Sequence, residues 1–298
     1  MIYAGQMALD NETHGGVGAW QPLEETRIPV LDRGFLFGDG VYEVIPVYSG
    51  KPFRLKRHLE RLENNLAAIR IDKPLSHEEW DAIIQRLIED HGPVDQALYL
   101  QVTRGVAPKR DHAFPADTTP TVFAMTNPLP KPDPERNLQG YAAITVSDER
   151  WNNCHIKAIT LFANLLARQE AVDKDAQEAI FIRDGKAVEG AASNLFIVRD
   201  RLLITPPKSK ELLPGITRDF VLELAAEHGI PYAEAEIPVE ELAKADEIWV
   251  TSSIREILPI TSLDGKPVGS GKAGSGWLRM QELFELGKEH FRHGDDHE

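Results

Sequence analysis

The stretch Trp151-Asn152-Asn153-Cys154-His155-Ile156-Lys157-Ala158-Ile159-Thr160-Leu161 carries a short polar approach to one lysine and then enters a helix. Leu161, Phe162, Leu165, Leu166 and Val172 recur at helical spacing, which predicts one apolar face to bury. Lys157 therefore stands just ahead of a helix start, flanked by Ile156 and Ile159. Taken alone it reads as a surface lysine at a strand-to-helix junction. What gives it chemistry lies elsewhere in the chain.

Downstream, residues 179–183 and 186–189 read as a hairpin about Asp184-Gly185, a pair suited to a type I′ turn. Strands at 194–198 and 202–205 follow, and Leu213-Pro214-Gly215-Ile216-Thr217 opens a helix with Phe220, Val221, Leu224 and Ala225 inward. A strand at 247–251, a hairpin at Leu263-Asp264-Gly265-Lys266 and a helix over about 276–291 complete this half. Upstream, residues 2–9 suggest a hairpin about Gly5, and glycines at 34, 38 and 40 imply tight turns ahead of a strand at 41–48. Leu55, Leu59, Leu62, Leu66 and Ile69 mark one helix; Ser76-His77-Glu78-Glu79 is a capping box opening another. Two strands, 97–103 and 121–126, are joined by the loop 104–119.

Four prolines alternate through Asn127-Pro128-Leu129-Pro130-Lys131-Pro132-Asp133-Pro134, a stiff run that predicts an interdomain linker. The expected division is a small N-terminal domain over 1–126, a linker over 127–136, and a large C-terminal domain over 137–298 that carries Lys157. Hairpins interleaved with helices predict an α+β chain of two α/β domains with mixed or antiparallel sheets. No internal repeat is visible.

At 298 residues, two domains are the natural expectation. The net charge of −14 argues against nucleic-acid binding, since phosphates need cations to neutralise them. A local basic pocket can still take a small anion. Met1–Gln6 has neither a basic region nor an apolar core, and no apolar run is long enough for a bilayer, so a cytoplasmic protein with no membrane partner is expected. The single cysteine, Cys154, excludes an intrachain disulfide and a cysteine-rich metal site. The run from Gly269 to Gly276 lacks phosphate-loop spacing because Ala273 follows Lys272. No His-Glu-x-x-His and no Gly-x-Ser-x-Gly occurs, which weakens the hydrolase readings, and no metal is expected.

Four segments together resemble the fold-type IV pyridoxal-phosphate aminotransferases, with the D-amino acid aminotransferase branch as the nearest match. They are Asp32-Arg33-Gly34-Phe35-Leu36-Phe37-Gly38-Asp39-Gly40-Val41-Tyr42-Glu43, the stretch from Trp151 to Ala171, Glu189-Gly190-Ala191-Ala192-Ser193-Asn194, and Leu213-Pro214-Gly215-Ile216-Thr217-Arg218. Their order and spacing hold from about residue 2 to residue 285.

The resemblance implies pyridoxal 5′-phosphate as cofactor. The lysine matching Lys157 forms the Schiff base in that family and then shuttles a proton. A free lysine, with a pKa of about 10.4, is protonated and does neither, so the site must favour the neutral amine. Glu189 matches the acid facing the pyridine nitrogen, with Ser193 and Asn194 beside it. Ile216 and Thr217, at a helix start, and Arg61 match the groups around the phosphate, and Leu213 is a further cofactor-binding position. Ser252 and Ser253 look like further phosphate donors.

In the D-amino acid branch an Arg-x-His pair traps the substrate carboxylate, and Arg110 and His112 fit that pattern. Their loop reaches the neighbouring subunit's site in that branch, which implies a homodimer. Branch members carry a tyrosine where this chain has Phe35, and its hydroxyl joins the trap; Phe35 cannot donate that bond. The expected reaction moves an amino group from a D-amino acid such as D-alanine to a 2-oxo acid such as 2-oxoglutarate. The rivals are an (R)-amine transaminase, a branched-chain L-amino acid aminotransferase, a 4-amino-4-deoxychorismate lyase of the same fold, and, more distantly, a non-catalytic relative that binds the cofactor.

Overall fold

The computed structural model describes residues 6–8, 19–129 and 131–293; of the hairpin expected over residues 2–9, only 6–8 lie among the described residues. The chain divides into two units. The first takes the described residues through 129 together with Ile156–Thr160, and the second takes Lys131–His155 and residues 161–293.

In the first unit, β1 (Gln6–Ala8) pairs antiparallel with β2 (Ala19–Gln21). A short helix, α1 (Arg33–Phe37), leads into β3 (Gly40–Tyr48) and β4 (Lys51–Pro52). Helices α2 (Leu55–Ala68) and α3 (His77–His91) follow, then β5 (Gln96–Thr103) and β6 (Thr121–Pro128). The antiparallel sheet runs β4-β3-β5-β6.

Alternation along β3 turns Val41, Ile45 and Val47 to one face, where they join Leu98, Leu100 and Val102 of β5. The apolar stripe of α2, Leu59, Leu62 and Leu66, and Trp80, Ile84 and Leu87 of α3 close over them. Each such side chain contributes roughly 1.5–3 kcal/mol on burial. The other face carries an aromatic row, Tyr42 to Tyr99 at 5.7 Å and Tyr99 to Phe123 at 6.1 Å between centroids.

Lys157 belongs to this first unit, not to the C-terminal unit where the sequence reading put it. The cause is non-local pairing. Tyr42 N–H donates to the Lys157 carbonyl at 3.0 Å, Ile159 N–H donates to the Gly40 carbonyl at 3.1 Å, and Ala158 bridges Val41. Ile156 packs against the β3–α2–α3 core. The predicted linker is shortened from both ends, because Asn127 and Pro128 still pair with Ala97 and Gln96, and a helix starts at Pro134.

The second unit begins with α4 (Pro134–Gln139), β7 (Tyr141–Ser147), α5 (Phe162–Asp173), β8 (Glu178–Arg183) and β9 (Lys186–Gly190). It continues with β10 (Ser193–Arg199), β11 (Leu202–Thr205), α6 (Ile216–Glu227), β12 (Tyr232–Glu234), β13 (Ile237–Pro238) and α7 (Val239–Leu242). Strands β14 (Glu247–Ser252), β15 (Glu256–Leu263) and β16 (Lys266–Pro267) precede α8 (Ser275–His293). The sheet order is β12-β11-β10-β14-β15-β7-β8-β9-β13, and β9 also pairs with β10, so six strands close on themselves. β7 runs parallel to β15 and β8, while the β10, β14 and β15 pairings are antiparallel: the sheet is mixed, as the hairpins predicted. Asp184 (φ 49°) and Gly185 (φ 75°) form the left-handed turn between β8 and β9.

The apolar stripe of α5 is not buried among the described residues. Phe162, Leu165, Leu166 and Val172 are 74%, 62%, 58% and 47% exposed, and it is Ala167 and Ala171 that face the sheet. Two small residues four apart let the helix backbone approach Ile144, Ala179 and Phe181 closely, and the large residues are left on the outer side.

Candidate active site

On β3, two successive side chains serve opposite faces. Tyr42 points to the aromatic side, where the Lys157 Nζ lies 4.3 Å from its ring centroid. Among the described residues the lysine amine forms no ion pair and meets a ring face instead. Glu43 points into the α2 side and is fully buried, with Oε1 accepting from Arg61 Nε at 2.7 Å and Oε2 from Arg61 Nη2 at 2.8 Å. Oε2 also meets His58 Nδ1 at 2.8 Å. Burial opposes ionisation of Glu43, yet Arg61 and His58 hold its carboxyl far below the usual range. Burial also lowers the His58 pKa, so the ring is neutral and its Nδ1–H donates, since a carboxylate can only accept. Arg61, one position off the apolar stripe of α2, is thereby fixed at the edge of the core.

In the second unit, Glu189 lies where the sheet closes. Its register partner across β9 and β10 is Asn194, whose Nδ2 donates to Glu189 Oε2 at 3.3 Å and to the Leu213 carbonyl at 2.8 Å. Leu213 N–H donates to the same carboxylate oxygen at 3.1 Å. Arg150 Nη1 pairs with Oε1, while its Nε and Nη2 form a fork on Asp148 at 2.8 and 2.9 Å. Burial pushes the Glu189 carboxyl up to about 7 against the opposing pull of Arg150.

Helix α6 starts immediately beyond Leu213 and Pro214. Gly215 is its N-cap and provides no side-chain cap. Gly215 is required there, because a Cβ would fall 1.8 Å from Asn194 Oδ1. Ile216 and Thr217 thus begin a helix whose first N–H groups have no side-chain acceptor at the cap, a place suited to an anion. The contrast is α8, whose first turn is occupied: Glu247 accepts from Gly276 and Trp277 N–H at 2.8 Å each.

Other predicted residues divide. Ser193 Oγ is committed to Glu178 at 2.8 Å, and Ser252 Oγ accepts from Arg255 N–H at 3.2 Å, capping a turn that contains Ser253. Arg110 and His112 come together on one ring, with the Arg110 guanidinium 5.0 Å and the His112 ring 5.4 Å from Phe37. Phe35 is 72% exposed in the single chain.

A family description, amino-transferase class IV, matches residues 40–263. A D-alanine aminotransferase of Bacillus licheniformis is 42% identical over 257 residues, which cover 86% of this chain and 90% of that protein. The chain belongs to the class IV aminotransferases. A D-alanine aminotransferase of Staphylococcus epidermidis is 38% identical over 88% of the chain and 93% of that protein. Among solved structures, a branched-chain amino acid aminotransferase from Escherichia coli superposes with a TM-score of 0.84 at 27% identity, covering 95% of this chain and 94% of that one. Another, from Thermoproteus uzoniensis with norvaline, gives 0.83 at 28% identity and 96% coverage of both chains.

This class IV aminotransferase uses pyridoxal 5′-phosphate, and a solved branched-chain relative at 26% identity and a TM-score of 0.85 holds pyridoxamine 5′-phosphate. The residues of this chain fit that group. The fit rests on a donor-lined helix start without a side-chain cap, a buried acid with proton affinity near neutrality, and a lysine amine against a ring. Three further candidates were not singled out from sequence: Tyr42, the Glu43–His58 pair and Arg150. Glu43 and Tyr42 lie inside the matched segment but carry no spacing signal. Arg150 stands one position before the quoted stretch and is defined only by its contact with Glu189, thirty-nine residues on.

Proposed function

We propose that this aminotransferase transfers the amino group of a D-amino acid, D-alanine first, to a 2-oxo acid such as 2-oxoglutarate. The observation that carries the reading is the Arg110–His112 pair gathered on Phe37, a guanidinium and an imidazole suited to a carboxylate. D-alanine aminotransferases at 42% and 38% identity over most of the chain support it.

When bound, the cofactor supplies an electron sink for the pair left on the substrate Cα. Lys157 Nζ would anchor it and would take and return the proton at the substrate Cα. Glu189, oriented by Arg150, Asn194 and Leu213 N–H, would meet the ring nitrogen and favour its protonated form. Arg61, the Ile216 and Thr217 N–H groups, Ser252 and Ser253 would hold the phosphate. Arg110 and His112 hold the α-carboxylate in both half-reactions, because the amino acid and the oxo acid share it.

The reading includes a homodimer in which the Arg110 loop serves the partner's site. The exposed α5 stripe, apolar and outward in the single chain, supports such association.

Absorbance changes in the amino-donor half-reaction with D-alanine, L-leucine and (R)-1-phenylethylamine are the test. D-alanine is expected to react fastest. No change with D-alanine, and conversion by L-leucine, would assign the branched-chain activity named for the solved neighbours.

A further inference from the structure

The loop between β5 and β6 is anchored to α1 through one guanidinium. At its base, Arg33 N–H donates to the Gly105 carbonyl at 2.9 Å, and Ala107 N–H donates to the Leu31 carbonyl at 3.2 Å. Gly105 is needed for that close return: its φ is +93°, and a Cβ would fall 1.9 Å from the Thr119 carbonyl oxygen. At its tip, Arg33 Nη1 donates to the Asp111 carbonyl at 2.6 Å and to Ala113 at 3.4 Å, and Nη2 donates to His112 at 3.3 Å. Three consecutive carbonyls around His112 therefore converge on one side chain. The tip also has local bonds: the Lys109–Asp111 ion pair at 3.0 Å and Ala113 N–H to Asp111 Oδ1 at 3.2 Å.

Arg33 is itself held. It is 3% exposed, its Nε donates to Asp39 Oδ2 at 2.8 Å, and its guanidinium carbon lies 4.8 Å from the Phe37 ring and 5.9 Å from Phe114. Arg104 does not duplicate the task. Its Nε and Nη2 also donate to Asp39, at 2.7 and 3.0 Å, but its remaining bonds go to the Arg70 and Ile69 carbonyls at 2.8 and 2.7 Å. Burial raises the Asp39 pKa, but the bonds from Arg104 and Arg33 outweigh it and keep the carboxyl below its ordinary value. Asp39 is thus a fixed anion, and Arg33 transmits its rigidity to the loop.

We propose that Arg33 is the positioning residue of the carboxylate trap, fastening the Asp111–Ala113 backbone so that Arg110 and His112 stay against Phe37 before any substrate arrives. The proposal rests on the reading of Arg110 and His112 as that trap. A preset loop binds carboxylates without first being ordered, so the benefit falls on KM for the D-amino acid and the oxo acid alike. Lysine cannot replace the fork, because a single ammonium cannot meet Asp39 and three carbonyls together.

The test compares Arg33→Lys with Arg110→Ala, each as holoenzyme with D-alanine and 2-oxoglutarate. In Arg33→Lys, KM for both substrates is expected to rise about tenfold, with kcat and bound-cofactor absorbance within twofold of the wild type. Trypsin is expected to cut after Lys109 or Arg110 faster in this variant without substrate. Should Arg33→Lys fail to fold, Arg33→Gln, whose shorter amide cannot meet Asp39 and the three carbonyls together, is expected to show the same KM rise. Raised KM in Arg110→Ala, with unchanged KM and unchanged cleavage in the folded variant, overturns the role of Arg33. Unchanged KM in Arg110→Ala removes the trap reading itself, and the inference with it.

Discussion

Glu189 holds its proton to a higher pH than an exposed carboxyl because burial penalises its charge more than Arg150 compensates. In the unfolded chain the group titrates near its ordinary value of 4.5, and in the folded protein at about 7. Between these values the folded state binds the extra proton, so raising the pH withdraws stability. The stabilisation is whole below pH 4.5 and lost by pH 7, a change of about 3 kcal/mol. Urea unfolding of cofactor-free wild type and Glu189→Gln at pH 5 and pH 8 isolates it. The wild type is expected to lose stability relative to the variant on going to pH 8; a pH-independent difference would falsify this account. At this scale the site is legible only in part. Lys157, Glu189 and Thr217 stand in segments whose order is recognisable, whereas Arg150 and His58 acquire roles only through contacts with Glu189 and Glu43. Phe35 is exposed in the single chain, and the tyrosine beside Lys157 is Tyr42.

Between β3 and α2, one carboxylate joins strand to helix. Glu43 lies on the core face between Val41 and Ile45 and accepts two bonds from Arg61 and one from neutral His58. Replacing it with glutamine takes a counter-ion from the Arg61 cation in a dry place, and such losses run to roughly 3–5 kcal/mol. Glu43→Gln is therefore expected to unfold at markedly lower urea, with the deficit persisting from pH 5 to pH 8, because a depressed carboxyl gives up its stabilisation only in acid below its unfolded value. A deficit that disappears by pH 5 would contradict the pairing. Ser76→Ala removes a smaller feature, the cap whose hydroxyl accepts from Glu79 N–H at 3.2 Å, and about 1 kcal/mol should go with it in the same measurement. Periodicity placed α2, α3, the β8–β9 hairpin and the strands well, because each is set by local alternation and local turn chemistry. It failed where partners are distant. The unit to which Ile156–Thr160 belongs is decided by bonds to Gly40 and Tyr42, more than a hundred residues back. The outward face of α5 was likewise hidden, since a hydrophobic stripe gives no indication of whether its own chain covers it.

For the whole molecule, two features pull against each other. A net charge of −14 disfavours self-association in general, yet α5 presents Phe162, Leu165 and Leu166 exposed on consecutive turns, without cover from the described residues. An apolar stripe on a strongly acidic surface is where a specific contact between copies is most favourable, since each copy gains by removing it from water while the charges stay on the rim. Substituting Leu165→Glu together with Leu166→Glu places two further negative charges on that stripe and leaves Ala167 and Ala171, the buried side of the helix, unchanged. Sedimentation velocity of the holoenzyme is expected to shift from dimer to monomer, with helix content by circular dichroism retained. If the Arg110 loop serves the partner's site, KM for D-alanine should rise in the monomer while bound-cofactor absorbance persists. An unchanged sedimentation coefficient removes α5 from the contact. A monomer with unaltered KM would keep Arg110 and His112 as a trap but move them to their own chain's site.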